Sequence, residues 1–419
     1  MLLALAALSA RPRVCRPGWR ALDLALFGTI GAVILQLVPV PPGWLHTLSP
    51  AAAVVDRAIH FDSRTGWQPL SLNPPETAIA LLVDLLALAA FWIIRNAVAG
   101  SGMRTFVRTI LGIGLVVSVV AIVGAAIKSP TSHLVYGLFE PTDPAARPYG
   151  PFVNRNEMAT WVLLALPLVV GYAAARIRRR SQSGVPTVDA TTVWFAGGAA
   201  VMIAALVLSL SRSGIIAAAA EAIVAVALSL NAAERRRHVA LAAVGLGAAA
   251  IAIALAMPRT SELIGRFDRT LTIKGADGRT AIWRDTRAMI RDFPWTGVGA
   301  GAYPTGMLVY QQGSRLFFNN HAHDEYLQVI AEGGALVALP LTVAACAFAL
   351  LVASRLSTDR SALYWIRAGA VTGVVGALLQ SVWEVGLAAP ANALLFAAVC
   401  AIAVHPHEES EPPPRPVTA

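Results

Sequence analysis

The sequence predicts an all-α, polytopic integral membrane protein with about ten transmembrane helices. Of its 419 residues, 56% are hydrophobic and only 14% are charged, whereas about a quarter of a soluble domain is charged. Mean hydropathy is +0.63. The apolar residues also fall in runs of about 20, the length that crosses a bilayer as a helix. Together these features predict a membrane-embedded helical bundle.

The apolar runs divide the chain into four predicted parts. Residues 1–257 and 335–404 hold transmembrane helices, 258–334 form a helical loop domain, and 405–419 are a disordered tail rich in Pro and Glu. The last run is short, so it is tilted, re-entrant or paired with another segment. The predicted spans are 21–40, 76–95, 105–127, 156–176, 191–210, 214–232, 239–257, 335–353, 366–385 and 389–404.

The charge pattern predicts the orientation. The net charge of +9 comes mostly from arginine, and arginines cluster between apolar runs, as at 176–180 and 235–237. Cytoplasmic loops carry such excess positive charge, and anionic lipid attracts it, so no nucleic-acid partner is expected. Both termini are therefore predicted to be cytoplasmic. Segments 41–75, 128–155, 211–214 and 258–334 then lie on the outer side.

The long outer loop contains a predicted amphipathic helix that begins near Asp277, with Ile282, Met289 and Phe293 on one face. Arg279 falls in its first turn, where a cation opposes the helix dipole at a cost of about 0.3–1 kcal/mol. The same helix end attracts anions through its free N–H groups. Arg279 is thus a candidate anion ligand. The alternatives are a solvated arginine or a partner for Asp277.

Two further outer segments carry candidate ligands. Residues 211–214, Ser-Arg-Ser-Gly, predict a tight turn that places Arg212 at or just before the N-terminus of the next helix. The alternative for Arg212 is snorkelling to lipid headgroups. Asn154, Arg155 and Asn156 precede another span and could bind sugar or phosphate. Their alternative is helix capping by Asn154 or Asn156.

A polar run at 319–334 predicts a short helix in the outer loop. Asn319 or Asn320 is the expected cap, and Asp324 suits the first turn. Gly333 or Gly334 is expected to end the helix.

The histidines of this run, His321 and His323, then fall at a helix N-terminus, which favours neutral imidazole, a form that can act as a general base. The alternatives are a capping histidine or one bound to a headgroup. His321-Ala-His323-Asp324 also has metal-ligand spacing, but no third ligand cluster follows, so no metal site is expected.

Two acids, Asp84 and Glu221, lie inside predicted spans. Each costs roughly 2.5–3.5 kcal/mol at a helix centre on insertion scales. They could line a polar cavity or a proton path. The alternative is an interhelical hydrogen bond.

The ordered set of motifs resembles the O-antigen ligase and polymerase superfamily of bacterial polysaccharide assembly. The resemblance extends from about residue 60 to 340. One departure is His323-Asp324, where the family more often has His-Asn. The motifs are Trp67-Gln-Pro-Leu-Ser-Leu-Asn73, Phe152-Val-Asn-Arg-Asn156, Ser211-Arg-Ser-Gly214, Arg279 with Trp283, Pro294-Trp-Thr-Gly-Val-Gly-Ala-Gly301, and His323-Asp-Glu-Tyr-Leu327 with Glu332 and Gly333.

The resemblance implies a membrane glycosyltransferase-type fold in the bacterial inner membrane, with a periplasmic active site. The donor would be a glycan on undecaprenyl diphosphate, and the acceptor a hydroxyl of lipid A-core or of another lipid-linked glycan. Transfer would be inverting and need neither metal nor cofactor. Arg212 and Arg279 would hold the diphosphate and His323 would deprotonate the acceptor. The expected substrate-binding residues are Asn154, Arg155, Asn156, Trp283, His321 and Asp324.

Three other activities remain open from the sequence. A polysaccharide polymerase and a protein O-glycosyltransferase would differ only in the acceptor. A transporter of lipid-linked sugar belongs to a different class, and Asp84 and Glu221 alone favour it.

Overall fold

A computed structural model describes residues 14–15, 18–60, 66–98, 102–127, 134–135, 138–141, 146–185, 188–231, 277–312 and 318–405. Within these ranges, eight helices are long and apolar enough to cross a membrane. The predicted all-α polytopic fold is therefore confirmed. The predicted span 239–257, the loop from 258 to 276 and the tail from 406 lie outside the described residues.

The described helices comprise those that can span a bilayer, a short helix that packs in the same core, and short helices at one end of the bundle. The spanning group matches the predicted spans, and the fourteen-residue helix near the C-terminus is the short one that the sequence predicts. In chain order the elements are α1 (Arg20–Leu37), β1 (Pro39–Val40), α2 (Pro42–Leu48), α3 (Ala52–His60), β2 (Gln68–Pro69), α4 (Pro74–Ala97), α5 (Gly102–Ile127), α6 (Arg155–Gln182), α7 (Ala190–Leu208), α8 (Arg212–Asn231), α9 (Asp277–Asp292), α10 (Tyr303–Tyr310), α11 (Glu325–Thr358), α12 (Leu363–Gln380), a 3-10 turn (Gly386–Ala388) and α13 (Pro390–Ala403).

Helices α6 and α12 pack against each other at the centre of the bundle. A Cβ atom at Gly369 would collide with the carbonyl oxygen of Pro167, and one at Gly171 would collide with that of Trp365. Glycine thus lets the two backbones touch, which is how helices associate in a membrane. The close contact fixes the ends of α6 and α12 relative to each other, and both ends contribute to the site described below.

A second hydrophobic core lies at one end of the bundle and is formed mostly by the short helices there. Met289 and Phe293 from α9 and Tyr303 and Met307 from α10 are completely buried there. They pack with residues of α3 and with Leu72. Nearby in the sequence, β1 and β2 pair in a short antiparallel ladder. Described residues from the two long segments 41–75 and 258–334 thus pack against each other.

Helix α11 has a sharp break at Gly334, where φ is 54° and ψ is −160°. Only glycine adopts this conformation readily. The break frees backbone groups, and the glycine-rich segment 294–301 satisfies them. The N–H groups of Val298 and Gly299 donate to the carbonyl groups of Ala331 and Glu332, each at 2.9 Å. The expectation that the helix starting in the polar run ends at Gly333 or Gly334 is confirmed at Gly334.

All the predicted site residues lie at the same end of the bundle. Helices α6, α8 and α11 begin at this end, and α12 ends there. The Tyr364 hydroxyl donates to the Leu228 carbonyl at the far end, while Gln380 bonds to Asn156 at the near end. The fold therefore brings segments far apart in sequence to one surface.

Candidate functional site

An ion pair between Arg279 and Glu384 forms the centre of the site. Arg279 lies in the first turn of α9, as the sequence predicts, and its Nη2 is 2.5 Å from Glu384 Oε1. Glu384 follows the C-terminal end of α12 and its side chain is only 5% exposed, whereas that of Arg279 is 34% exposed. The side chain of Asp277, the partner that the sequence suggested, lies outside the described part of the structure.

His323 completes this cluster on the other side of Glu384. Its Nδ1 lies 3.9 Å from Glu384 Oε2 and its side chain is 38% exposed. A carboxylate near Nδ1 favours a proton on that nitrogen and leaves the Nε2 lone pair available. A base with its orienting carboxylate is the arrangement that activates a hydroxyl group.

The electrostatic environment keeps Glu384 ionised. Burial raises the pKa of its carboxyl, but the neighbouring His323 and Arg279 lower it, and the net pKa lies below the ordinary value of 4.5. Glu384 is therefore a carboxylate at neutral pH, shared by a guanidinium and an imidazole.

The backbone at His323 is in the left-handed region, with φ at 50°. This conformation costs a non-glycine residue about 1–2 kcal/mol, so its surroundings must hold it. The preceding residue, Ala322, is completely buried. Its carbonyl accepts from Trp283 Nε1 at 3.1 Å, and its N–H donates to Gln328 Oε1 at 3.0 Å.

The residue after His323, Asp324, is the N-cap of α11. Its Oδ1 accepts from the Leu327 N–H at 2.9 Å. The predicted caps, Asn319 and Asn320, are wrong: both precede the helix, because the chain from 318 to 322 is irregular and α11 begins only at Glu325. An asparagine oxygen would accept the same bond. The change from the family's usual His-Asn is therefore compatible with this capping role.

Arg212 is the first residue of α8, directly after the tight turn that the sequence predicts. Ser211 Oγ accepts from the Gly214 N–H at 3.2 Å and closes this turn. A Cβ at Gly214 would lie 2.7 Å from Ala159 Cβ, so the turn rests on the first turns of α6. Arg212 thus shares an end of the bundle with Arg279 and His323.

The segment from Asn154 to Asn156 begins α6 beside this cluster. Asn154 caps the helix, with Oδ1 accepting from the Asn156 N–H at 2.9 Å. Arg155 is the first helical residue, and its N–H donates to the Arg147 carbonyl at 3.0 Å. The Asn156 carbonyl accepts from Gln380 Nε2 at 3.1 Å, four residues before Glu384. Capping by Asn154 is confirmed, while substrate binding by this segment remains a prediction.

The two histidines have different surroundings. His321 Nδ1 lies 3.4 Å from Gln328 Nε2, and the same amide donates to Glu332 Oε1 at 3.2 Å. His323 instead faces Glu384. The two histidines therefore contact different residues, and His323 is the one that shares Glu384 with Arg279.

Sequence reasoning missed Glu384. Trp383-Glu384 lies at the end of the predicted span 366–385, and an acid at the outer end of an apolar run was the available signal. The two acids that the sequence did single out lie elsewhere. Glu221 is buried on α8 against Gly376, and its Oε1 has no hydrogen-bond partner among the described residues. Asp84 lies on an exposed face of α4. The predicted interhelical hydrogen bond is thus not observed at Glu221 Oε1.

Comparison with protein families gives one informative match. Residues 197–342 match the family model described as O-antigen ligase (Wzy_C). This match supports the resemblance of the chain to the O-antigen ligase superfamily. No curated protein matches the chain.

The superfamily match covers Arg212, Arg279 and His323 in one continuous region. Glu384 and the segment 154–156 lie outside the matched region in sequence, but the fold places them near Arg279. The match supports a ligase- or polymerase-type function in general for this multi-pass membrane protein.

Proposed function

We propose that the protein is a membrane glycosyltransferase of the O-antigen ligase type. It transfers a glycan from undecaprenyl diphosphate to a sugar hydroxyl of lipid A-core, with inversion and without a metal ion. The observation that carries this proposal is the Arg279–Glu384–His323 cluster, because it unites an anion ligand with an oriented base.

The acceptor half of the reaction uses His323. Nε2 removes the proton from the acceptor hydroxyl, and the oxygen attacks the anomeric carbon from the face opposite the diphosphate. Glu384 near Nδ1 holds the ring orientation and stabilises the imidazolium that forms. The proton then passes from His323 to solvent, so the base is regenerated.

The donor half uses the arginines. As the new bond forms, the bond from the anomeric carbon to the diphosphate oxygen breaks, and both electrons leave with the diphosphate. Arg279 and Arg212 stabilise this charge. Each lies in the first turn of its helix, where free N–H groups also attract anions. A guanidinium has five N–H donors, so Arg279 can hold the diphosphate while it pairs with Glu384.

We place this end of the bundle at the periplasmic face of the inner membrane. Arginines gather at the opposite end, at 176–180 in the last turns of α6, at Arg95 and at Arg355. The bias of positive charge toward the cytoplasm supports this orientation.

The contacts of Glu221 argue against a transporter. Transporters place polar groups at mid-membrane where broken helices line a cavity. Glu221 is 4% exposed and packs against Gly376 on α12. This carboxyl therefore lies in a helix contact rather than along a path for sugar.

The experiment is deletion of the gene, followed by analysis of lipopolysaccharide and of glycan on undecaprenyl diphosphate. A ligase mutant loses polymer from core and accumulates it on the lipid carrier. Complementation with the native sequence should restore ligation, whereas His323→Ala should not. Core that carries single repeat units would instead indicate a polymerase, whose acceptor is another lipid-linked glycan. Loss of glycan from proteins alone would indicate protein O-glycosylation. Either result would overturn the ligase assignment.

A further inference from the structure

The loop that carries His323 is fixed through the residue before it. Both polar backbone groups of Ala322 have side-chain partners from different elements, Trp283 on α9 and Gln328 on α11. Ala322 is completely buried, so water cannot replace either partner. The peptide groups on both sides of Ala322 are therefore held, one of them being the peptide that leads into His323.

This arrangement bears directly on the strained backbone of His323. A φ of 50° is unfavourable for histidine and persists only where neighbouring contacts determine it. On the N-terminal side of His323, two hydrogen bonds hold the backbone of Ala322. On the C-terminal side, Asp324 is held because it caps α11. Without those contacts the residue would relax to a more common conformation, and the imidazole would move away from Glu384.

Trp283 also connects the two halves of the site. It lies one helical turn after Arg279 on α9, so its indole bond to Ala322 sets the distance between that arginine and His323. Gln328 holds the same residue from α11. The contact thus joins the helix that carries the anion ligand to the loop that carries the base.

We propose that Trp283 and Gln328 are positioning residues, which hold the Ala322 peptide groups and thereby set the orientation of His323 toward Glu384 and Arg279. This inference rests on the proposed function, in which His323 is the base. It assigns Trp283 a role different from the substrate binding that the sequence suggested. A displacement of the base by about 1 Å reduces turnover by roughly 100-fold without loss of substrate affinity.

The test compares Trp283→Phe and Gln328→Met with native protein in nanodiscs. Phenylalanine keeps an aromatic ring but has no N–H donor, and methionine keeps the length of glutamine without its amide. We expect kcat to fall about 10- to 100-fold in each variant while donor Kd stays within about threefold. Trp295→Phe and Gln312→Met are matched controls, because both side chains are exposed at the same end of the bundle. Both should keep native kinetics.

A readout independent of activity is hydrogen exchange in the peptide 318–324. Gln328→Met removes the acceptor of the Ala322 N–H, so exchange there should accelerate, whereas Trp283→Phe leaves that acceptor in place. Native exchange and native kcat in Gln328→Met and Trp283→Phe would overturn the positioning role. Faster exchange with native kcat would overturn it as well. Absence of transfer by the native chain would contradict the proposed function instead.

Discussion

Replacement of Glu384 by Gln should separate the two halves of the reaction. The carboxylate lies 3.9 Å from His323 Nδ1. At that distance two unit charges attract by about 4 kcal/mol at an effective dielectric constant of about 20. His323 is 38% exposed, so solvent screening reduces the stabilisation of the imidazolium to about 1–2 kcal/mol. We therefore expect kcat to fall about 5- to 30-fold in Glu384→Gln.

Donor binding should respond differently. Glutamine cannot neutralise Arg279, which becomes more available to the diphosphate, so donor Kd should stay the same or decrease. The pKa of Glu384 lies below its ordinary value of 4.5 because, although burial raises it, His323 and Arg279 lower it further. The Glu384 carboxylate therefore stabilises the imidazolium throughout the neutral pH range. This stabilisation is lost only as the pH falls through the lowered pKa of Glu384.

The assay is donor affinity and single-turnover transfer in nanodiscs at several pH values. The Glu384→Gln variant should therefore differ from the native protein at pH 6 to pH 8 by a nearly constant factor, on the order of 10-fold. Glu76→Gln is the matched control, since Glu76 is exposed at the same end of the bundle. Native kcat in Glu384→Gln, or weaker donor binding with native kcat, would refute the assignment of Glu384 as the partner of the base.

Four further predictions follow from the same geometry. His323→Ala should reduce transfer by about 10²–10⁴-fold with donor binding retained, whereas His321→Ala should be milder; an inactive His321→Ala beside an active His323→Ala would reverse the assignment. Arg212→Ala and Arg279→Ala should weaken donor binding and slow transfer together, with partial rescue by lysine; normal binding and turnover in both would remove the diphosphate role. Purified protein should keep full activity in excess chelator, and a loss restored by magnesium or manganese would be inconsistent with metal-independent transfer. Asp324→Asn should keep native stability and activity, whereas Asp324→Ala should lose about 1 kcal/mol of stability, as thermal unfolding would show.

The sequence predicted the membrane-spanning elements well because their signal is local. A run of about 20 apolar residues defines a span without reference to any other part of the chain. The turn before Arg212 and the helix that begins at Asp277 follow from equally local patterns. Gly334 marked a helix break because glycine readily adopts the conformation found there.

The contacts that make the site were not predictable in the same way. Arg279 and Glu384 are separated by 105 positions, and no spacing rule connects them. The pairing depends on how α9 packs at the end of α12. Asn319 and Asn320 are as good caps by residue type as Asp324, so only the path of the chain from 318 to 324 decides among them. The partner of Trp283 is a backbone carbonyl, which leaves no trace in a sequence.

The most direct test of the central claim is transfer by the purified protein in nanodiscs. The donor is glycan-linked undecaprenyl diphosphate, the acceptor is lipid A-core, and the measurement is release of undecaprenyl diphosphate together with formation of glycosylated core. The native chain should form both products in equal amounts, and His323→Ala, correctly inserted and able to bind donor, should form neither at a comparable rate. Equal rates for native protein and His323→Ala, or movement of intact donor across the bilayer without cleavage of the diphosphate bond, would contradict the account.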